Sequence, residues 1–516
     1  MMKKALLSFL FVFSVAAVIG TSLENASAIP PFARKYKTNC QTCHTAYPKL
    51  NSFGMAYRAN GYRFPGGDEV FVKDDPVSMG ADANKRLFPN ALWPSDLPYL
   101  PPIGLTMFSN FYIGDDTETT TEFDGMEEIG LLAGGTFGEG FSFFLDWRMY
   151  QWGPDEGWLD RAFINYRPVW INEKLADIAS ELFNIEEIEY PAGIFNVQIG
   201  QFEPRATPMN GGHRNLITVK GTPNAVSYPV MPVGNMWGFF PNQKGVEFYG
   251  GLNGPKGKGG FEWAAGIVNG EQSIEQMAFG GEEGATPTRD SGRFDGSDFK
   301  DFYGRISYKI GGLGVMGGGP VVESDVSLET WQDGEAIETP FGTIYTSAKL
   351  GAFYYEGQYE YKTDEKNHIS RYGFDLDWLI GNCNILGSVV FYRDQLKEPI
   401  SFPEKSVSKP FDGLDDKFKT TIYTAEVDYV VFPWLVPAMR YEWIRPDYGY
   451  TARSNYADED DNIITTENWE MLTFDMAILA AANIKILTGA SFTMEEAPQR
   501  GSHFRDYYRL GIDIAF

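Results

Sequence analysis

Apolar and polar residues alternate with a period of two along much of the chain after residue 103. In residues 141–150, the apolar positions are Phe141, Phe143, Leu145, Trp147 and Met149. Runs of the same kind are Tyr372–Ile380, Tyr423–Tyr429, Met439–Trp443 and Leu472–Ile478. Strict alternation predicts β-strands with one apolar face. The runs are comparable in length to the tilted strands that cross a bilayer.

The residues on the other face of these strands distinguish two kinds of β-protein. A soluble sandwich also alternates, but its apolar face packs on a second sheet. Here aromatic residues are frequent on the apolar face near strand ends, and Asp, Glu and Arg occupy the opposite face. This pattern favours lipid outside and a wet lumen inside. The prediction is an all-β fold, a transmembrane antiparallel barrel of about 16 strands.

Turn signals and the chain end support the barrel. Gly251–Gly254 and Gly311–Gly312 read as turns between strands, and the polar stretches Ser273–Asp298 and Asp394–Phe418 read as long outward loops. The last residues alternate as a strand that ends on an aromatic residue; its apolar face is Tyr508, Leu510, Ile512, Ile514 and Phe516. This resembles the terminal strand signal of outer-membrane barrels. We therefore assign residues 103–516 to the barrel.

The N-terminus reads as an export signal. Lys3 and Lys4 precede the apolar run Ala5–Gly20, and Ala26-Ser27-Ala28 is a small-residue cleavage site, so residues 1–28 are predicted to be a signal peptide. No later stretch has about 18 consecutive apolar residues. An exported chain that crosses a membrane only by strands is expected in the outer membrane of a Gram-negative-type bacterium, in contact with lipid.

Composition agrees with strands and narrows the partners. The chain has 56 Gly, is 15% aromatic and carries a net charge of −26. Such a charge argues against nucleic acid as a partner. It suits cations or a basic protein partner, and it equally suits acidic loops that are merely solvated. Residues 65–102 are rich in Pro and Gly without periodicity and read as a linker.

A short motif in residues 29–64 carries the chemistry. Cys40-Gln-Thr-Cys43-His44 is a Cys-x-x-Cys-His sequence, the attachment signature of one covalent c-type haem. Cys40 and Cys43 would form thioethers with the porphyrin, and His44 would be the proximal iron ligand. A thioredoxin-like pair would need a βαβ context, and a zinc site would need further ligands; neither is evident nearby.

The rest of the haem pocket is not contained in this segment. Residues 29–64 fall below the size, about 40 residues, at which a chain builds its own core. Leu50, Phe53 and Tyr57 have the i, i+3, i+7 spacing of one apolar helix face, which can cover part of a haem but cannot bury it. The remaining pocket must come from elsewhere in the chain.

Two residues are candidates for the sixth iron ligand. Met55 lies 11 residues after His44, and on a continuous helix it would face the same side as His44. Pro48 and Gly54 could break that helix. The other candidate is His213, in a turn-rich stretch that could fold inward. We assign no role to Cys383, a turn or strand-end residue.

The N-terminal residues resemble a known family. Phe32-Ala-Arg, Cys40 to Thr45, Pro48-x-Leu50-x-x-Phe53-Gly54 and Gly61-Tyr62 are similar to the fused monohaem cytochrome c–porin family, which includes outer-membrane cytochromes of iron-oxidising bacteria. Beyond this short stretch the resemblance is one of architecture. It implies a haem segment that plugs the lumen and passes electrons across the outer membrane, without settling the direction.

Several functions remain open at this point. The first is electron transfer through the barrel from extracellular ferrous iron to a periplasmic electron-transfer protein such as a soluble cytochrome. This protein would then be an electron carrier that could also act as an iron oxidase. The second is a haem-tagged diffusion porin. The third is an outer-membrane cytochrome that delivers electrons outward. Peroxidase chemistry would need an open sixth coordination site.

Three acidic clusters could concentrate ferrous iron, or could simply be solvated loops. They are Asp115–Asp116, Glu282–Glu283 and Asp458–Asp461.

Overall fold

The structure is a computed structural model of the full chain. It describes residues 31–36, 38, 40–64, 102–114, 121–137, 140–151, 158–183, 193–206, 242–270, 300–317, 338–339, 342–343, 346–360, 366–395, 417–447, 469–495 and 506–515. The predicted signal peptide, nearly all of the predicted linker, His213 and the three acidic clusters lie outside these residues.

Sixteen antiparallel strands form one closed barrel. The strands are β3 Ile103–Gly114, β4 Thr121–Phe137, β5 Phe141–Gln151, β6 Trp158–Tyr166, β7 Asn196–Phe202, β8 Gln243–Asn253, β9 Lys258–Val268, β10 Asp301–Leu313, β13 Thr346–Glu360, β14 Lys366–Ile380, β15 Cys383–Gln395, β16 Lys417–Tyr429, β17 Leu435–Asp447, β18 Trp469–Ala481, β19 Ile484–Glu495 and β20 Tyr507–Ala515. β20 pairs with β3, so the chain ends close the porin-like barrel and leave it without a free edge. The predicted fold class and strand number are confirmed. Between β10 and β13 lie two short paired strands, β11 Glu338–Thr339 and β12 Gly342–Thr343.

The two faces of the wall follow the predicted alternation. On β14, Phe374 is 63% exposed on the outer face, while its neighbour Asp375 is 4% exposed on the lumen face. On β17, Met439 is 41% exposed and Arg440 is fully buried. The outer face is thus apolar and the inner face polar. Period-two alternation is a local property, which is why the sequence predicted it correctly.

The prediction of a turn at Gly311–Gly312 was wrong. Both residues lie inside β10, with φ of 74° and 64°, and the register with β9 shifts between Lys309 and Leu313. Positive φ is open to glycine, so the pair forms an irregularity that ends the strand instead of a turn. The predicted loop Asp394–Phe418 is also shorter, because its first and last residues belong to β15 and β16.

The two ends of the barrel differ in their connections. At one end, called here the short-turn end, two residues join Ile380 to Cys383 and two join Ala481 to Ile484. The same end carries a helix between β6 and β7, Val169–Phe183, which we call α3. At the other end, the strands after Gln395 and Asp447 are reached only after 21 residues in each case, 396–416 and 448–468. None of the helices in the described ranges is long and apolar enough to span a bilayer.

The N-terminal segment is a chain of small elements. It contains α1 Pro31–Lys35, a 3₁₀ turn at Cys40–Thr42, the hairpin β1 His44–Ala46 with β2 Lys49–Leu50, and α2 Ser52–Ala59. Leu50 therefore belongs to the hairpin, and the predicted helix face is reduced to Phe53 and Tyr57. The helix starts late because the Asn51 side chain accepts from the Gly54 N–H at 2.9 Å and caps it.

The described residues of this segment, 31–36, 38 and 40–64, lie inside the barrel and are together called the plug. It bonds to wall residues around the whole circumference: Lys35 to Thr136 on β4, Gly61 to Ser142 on β5, Asn60 to Met316 after β10, Lys49 to Asp428 on β16, and Tyr47 to Lys485 on β19. Strands on opposite sides of a closed barrel can be reached together only from its lumen. The contacted residues all lie near the short-turn end, so the plug fills that end.

Candidate haem site

The two motif cysteines lie on one short turn. The Cys43 N–H donates to the Cys40 carbonyl at 3.2 Å, and both are free thiols. Burial raises the pKa of the Cys40 thiol to about 11 and that of Cys43 to about 12, Cys43 being raised further by Cys40. Redox-active Cys-x-x-Cys pairs have lowered thiol pKa values. The environment therefore argues against a thioredoxin-like pair and is compatible with thioether formation.

His44 is positioned as a metal-ligating histidine would be. Its Nδ1 donates to the Pro48 carbonyl at 3.1 Å, and its ring lies edge-on to Tyr47 at 5.3 Å between centroids. Burial lowers the pKa of His44 to about 4, against opposing effects of the Pro48 and Lys49 backbone. The imidazole is therefore neutral at neutral pH. A backbone carbonyl bonded to one ring nitrogen is a common second contact of metal-ligating histidines.

Asn51 and Gly54 join the turn Cys40–Cys43, called here the attachment turn, to α2. The Asn51 side-chain amide donates to the carbonyls of Gln41 and Thr42 at 3.0 and 3.1 Å. A Cβ atom on Gly54 would collide with the Cys43 carbonyl oxygen, so only glycine permits this approach. Sequence reasoning missed Asn51, although its place before a Ser-led helix is an N-cap signal.

A cavity of about 160 Å³ lies between the plug and the wall. The plug contributes Leu50, Met55 and Ala59 to its apolar lining, and the wall contributes Leu386. Leu50 is paired with His44 in the hairpin, and directly opposed residues project to the same face of a strand pair. The face that carries His44 thus continues into the cavity lining.

Charged side chains complete the cavity. The cations are Lys49, Arg58, Arg205, Arg305 and Lys349, and the carboxylates are Glu262 and Asp377. Lys49 and Arg58 belong to the plug, so both the plug and the wall contribute apolar and charged side chains to the lining. Cys40, Cys43 and His44 are not among the residues that line this cavity.

The structure changes the position expected for Met55. The chain from His44 to Met55 is a hairpin followed by α2, so it is not one continuous helix. Met55 lies on α2 and lines the cavity. The geometric objection to Met55 as the sixth ligand is thereby removed. His213, the other candidate, lies outside the described residues.

Aromatic residues form the core of the plug. Tyr36, Tyr57 and Phe64 are buried and are surrounded by Phe32, Phe53 and Tyr62. The Tyr62 ring stacks on Phe144 of the wall at 5.5 Å. The core of the plug is thus completed by the barrel, as its small size requires.

Other candidate residues take no part in this site. Cys383 is the first residue of β15, at a strand end as predicted. Within the ranges that the structure describes, no group of three or more His, Cys, Asp or Glu is arranged to hold a metal ion.

Comparisons with known proteins give loose likenesses. No protein-family model matches the chain, and no curated protein is significantly similar in sequence. Similar solved structures include the outer membrane channel DcaP of Acinetobacter baumannii, at 9% identity, a TM-score of 0.43, and coverage of 80% of this chain and 96% of that chain. OmpF of Salmonella typhi in complex with daunomycin has 9% identity, a TM-score of 0.44, and coverage of 80% and 97%. A loop L8 deletion mutant of OmpT, an outer membrane protein of Vibrio cholerae, has 10% identity, a TM-score of 0.40, and coverage of 80% and 98%. With TM-scores below 0.5, these likenesses add nothing to the barrel architecture, which rests on the strand pairing itself.

Proposed function

We propose that this protein is an outer-membrane electron carrier of the fused monohaem cytochrome c–porin kind. Its one covalent c-type haem is attached through Cys40 and Cys43, with His44 as the proximal ligand, inside the barrel lumen. Electrons pass from extracellular ferrous iron to a periplasmic electron-transfer protein such as a soluble cytochrome. The observation that carries the proposal is that the segment bearing the motif lies within the lumen and contacts the wall on all sides.

The outer face of the barrel supports a location in lipid. Large apolar residues are exposed along it, among them Ile306 at 56%, Ile310 at 63%, Leu350 at 58% and Phe374 at 63%. A soluble protein rarely leaves so extended an apolar surface in water. A closed barrel with an apolar exterior and a polar interior satisfies every strand N–H and C=O inside a bilayer. Export by the signal peptide 1–28 is part of the same proposal.

The position of the plug supports a periplasmic partner. Outer-membrane barrels have short periplasmic turns and longer extracellular loops, so the short-turn end faces the periplasm. Gln41, beside Cys40, donates to the carbonyl of Pro433 in the turn between β16 and β17 at 3.0 Å. The attachment turn is thus close to the periplasmic mouth, where a soluble carrier can approach.

The chain's own residues hold the haem, orient its ligand and close the lumen around it. The haem supplies one-electron transfer when it is bound. Cys40 and Cys43 anchor it, and the Pro48 carbonyl orients His44. The plug occupies the periplasmic end of the lumen and hinders the passage of water and ions there. The acidic chain, with a net charge of −26, favours an approaching cation such as ferrous iron.

Haem attachment is tested first. The purified protein should contain one haem that remains after acidic organic extraction, because thioethers are not broken by it. Cys40→Ala with Cys43→Ala should abolish this retained haem, whereas Cys383→Ala should leave it unchanged. Retained haem in the double variant, or none in the unaltered protein, would contradict the proposal.

Electron transfer is tested in liposomes. Protein is reconstituted with an impermeant acceptor inside, and ferrous iron is added outside. Internal reduction that depends on Cys40 and Cys43 supports inward transfer from iron. Reduction only when donor and acceptor are exchanged across the membrane would favour outward delivery. A steady ion current of porin size through the same protein would favour the diffusion porin.

A further inference from the structure

Helix α3 is held at the short-turn end on the outer side of the wall. The amide of its buried Asn172 donates to the Phe195 carbonyl at 2.9 Å, and the Phe195 N–H donates back to the Asn172 side chain at 2.8 Å. The Phe195 ring stacks on Phe248 of β8 at 5.9 Å. Phe248 points away from the lumen, because its neighbours Glu247 and Tyr249 are buried on the lumen face. The helix is therefore anchored beside the outward aromatic residues of the rim.

One apolar side of α3 is exposed. Its four residues lie within about 60° of one another around the helix axis, and they are Ile171, Leu175, Ile178 and Leu182. Ile178 is 58% exposed and Leu182 is 74% exposed. By contrast, Asn172 and Ala176, on the side that packs on the protein, are buried. The helix thus carries an apolar side in addition to its buried one.

The remaining side of α3 is acidic. Its carboxylates, one in each turn, are exposed and belong to Glu173, Asp177 and Glu181. The centre of this row is about a third of a turn from the apolar side and about a third of a turn from the buried side. A helix with three such sides suits a place where protein, hydrocarbon and water meet. At the rim of a transmembrane barrel, that place is the bilayer interface.

The neighbouring wall continues the apolar side of the helix. Ile164 on β6 is 49% exposed, and Ile199, its partner on β7, is 55% exposed. Between the two exposed sides of α3, the Lys174 ammonium lies 5.6 Å from the ring centre of Trp170, which is also exposed. Tryptophan is enriched at the headgroup level of bilayers, and lysine reaches that level by extending its stem along apolar surface. Lipid is therefore the occupant that matches this surface.

We propose that α3 binds phospholipid in the periplasmic leaflet of the outer membrane, with Ile178 and Leu182 among the acyl chains and Lys174 at the phosphates. The acidic row then faces the periplasm. The inference rests on the outer-membrane location proposed above and extends the membrane contact from the strands to a helix. Because α3 joins β6 to β7, its contact holds the short-turn end of the barrel at one depth in the leaflet.

The test uses a photoreactive amino acid, p-benzoylphenylalanine, at one position at a time in the full-length protein. The positions are Ile178, its neighbour Asp177 on the acidic row, and Phe374 on the outer face of β14. Each protein is reconstituted in vesicles of phosphatidylethanolamine and phosphatidylglycerol, irradiated and analysed by mass spectrometry. Positions 178 and 374 should each give an adduct heavier by one phospholipid, and position 177 should give little or none.

The outcomes separate this inference from the proposed location. Phospholipid at position 374 with none at 178, or equal yields at 177 and 178, overturns the inference and leaves the barrel in the membrane. Absence of phospholipid at both 374 and 178 overturns the location and the inference together. An adduct between position 178 and a second copy of the chain assigns the apolar side to a contact between copies and overturns the lipid contact.

Amide hydrogen exchange gives a second measurement without a photoreactive group. Ile178→Gln with Leu182→Gln removes the apolar side. The matched control is Asp177→Gln with Glu181→Gln, which leaves that side in place. In the same vesicles, the α3 amides should exchange faster in the first variant only, because its helix no longer partitions into the leaflet. Equal exchange in the two variants, whether fast or slow, overturns the inference.

Discussion

A small number of buried polar residues hold the plug to the wall. Lys49 is 5% exposed and pairs with Asp428, which is 2% exposed. Lys485 donates to the Tyr47 carbonyl at 2.6 Å and pairs with Asp513 at 2.6 Å. Because these groups are buried, removing one partner leaves a charge with poor compensation. The seating of the plug should therefore respond to single substitutions.

Lys49→Met should loosen the plug. It leaves the Asp428 carboxylate buried without its cation, a cost of about 3–5 kcal/mol for a broken buried ion pair. In planar bilayers the variant should show more frequent channel openings than the original protein. Adding Asp428→Asn should reverse part of the effect, because no charge is then left unpaired. Equal opening of the single and double variants would mean that this pair does not seat the plug.

A substitution at Met55 tests the identity of the sixth ligand. The place of Met55 in the cavity lining leads us to expect that Met55→Leu, which preserves volume, abolishes the methionine-to-iron charge-transfer band of the oxidised protein. His213→Gln should leave the band unchanged. An original protein that lacks the band, and whose spectrum changes only in His213→Gln, would assign the ligand to His213.

At the scale of elements, α2 connects the turn that carries Cys40 and Cys43 with the barrel wall. Its N-terminus is capped by Asn51, which also binds the attachment turn. Its far end packs Ala59 against Val315 and Met316 of the segment after β10. The position of the cysteines relative to the wall is thus set by the packing of one short helix. A helix of this length is not stable alone, so its packing determines its place.

Gly54→Ala should therefore be destabilising although alanine is the better helix former. In an open helix this change stabilises by about 1 kcal/mol, but here the new methyl group meets a backbone carbonyl that no side-chain rotation can move. We expect a loss of about 1–3 kcal/mol, seen as a lower melting temperature of the plug and less haem per barrel.

Gly387→Ala is the matched control for this change. The nearest atom to a Cβ there is the Thr424 carbonyl oxygen at 3.9 Å, so the substitution should be nearly neutral. A Gly54→Ala protein that melts like Gly387→Ala and carries as much haem would show that the close approach of α2 to the turn is dispensable.

At the scale of the whole molecule, the two faces of the barrel wall suit two different environments. Charged residues face the lumen and pair across strands, as Arg371 does with Asp394. Apolar residues face outward on the same strands. Such a wall is stable where lipid covers its exterior and water or the plug fills its interior. The cost of a misplaced charge should therefore depend on its depth.

Phe374→Arg places a cation on the outer face near the middle of β14. In a bilayer this should cost about 2–4 kcal/mol, whereas an arginine near the interface costs about 0–1 kcal/mol. The matched control is Tyr429→Arg, at the end of β16 and 49% exposed. Unfolding by urea in lipid vesicles measures both. Equal stability of the two variants would contradict a barrel centred on the bilayer at Phe374.

The barrel was predictable because its signals are local. Alternation on β14 or β17 and the attachment motif at Cys40–His44 are each contained within a few consecutive residues. The helix from Leu50 was predicted incorrectly at its start, because the Asn51 cap and the hairpin shift it to Ser52. Gly311–Gly312 was misread since a strand irregularity and a turn require the same residue type.

The sequence by itself determined the strand-forming segments, the face that each strand turns outward, and the residues predicted to attach a haem. Tertiary structure alone decided where the plug lies and what completes its site. Lys49 meets Asp428 across 379 positions, and Tyr47 meets Lys485 across 438. Such contacts arise only when the barrel closes, because closure brings distant strands around one lumen. The cavity beside Met55 is a consequence of that closure.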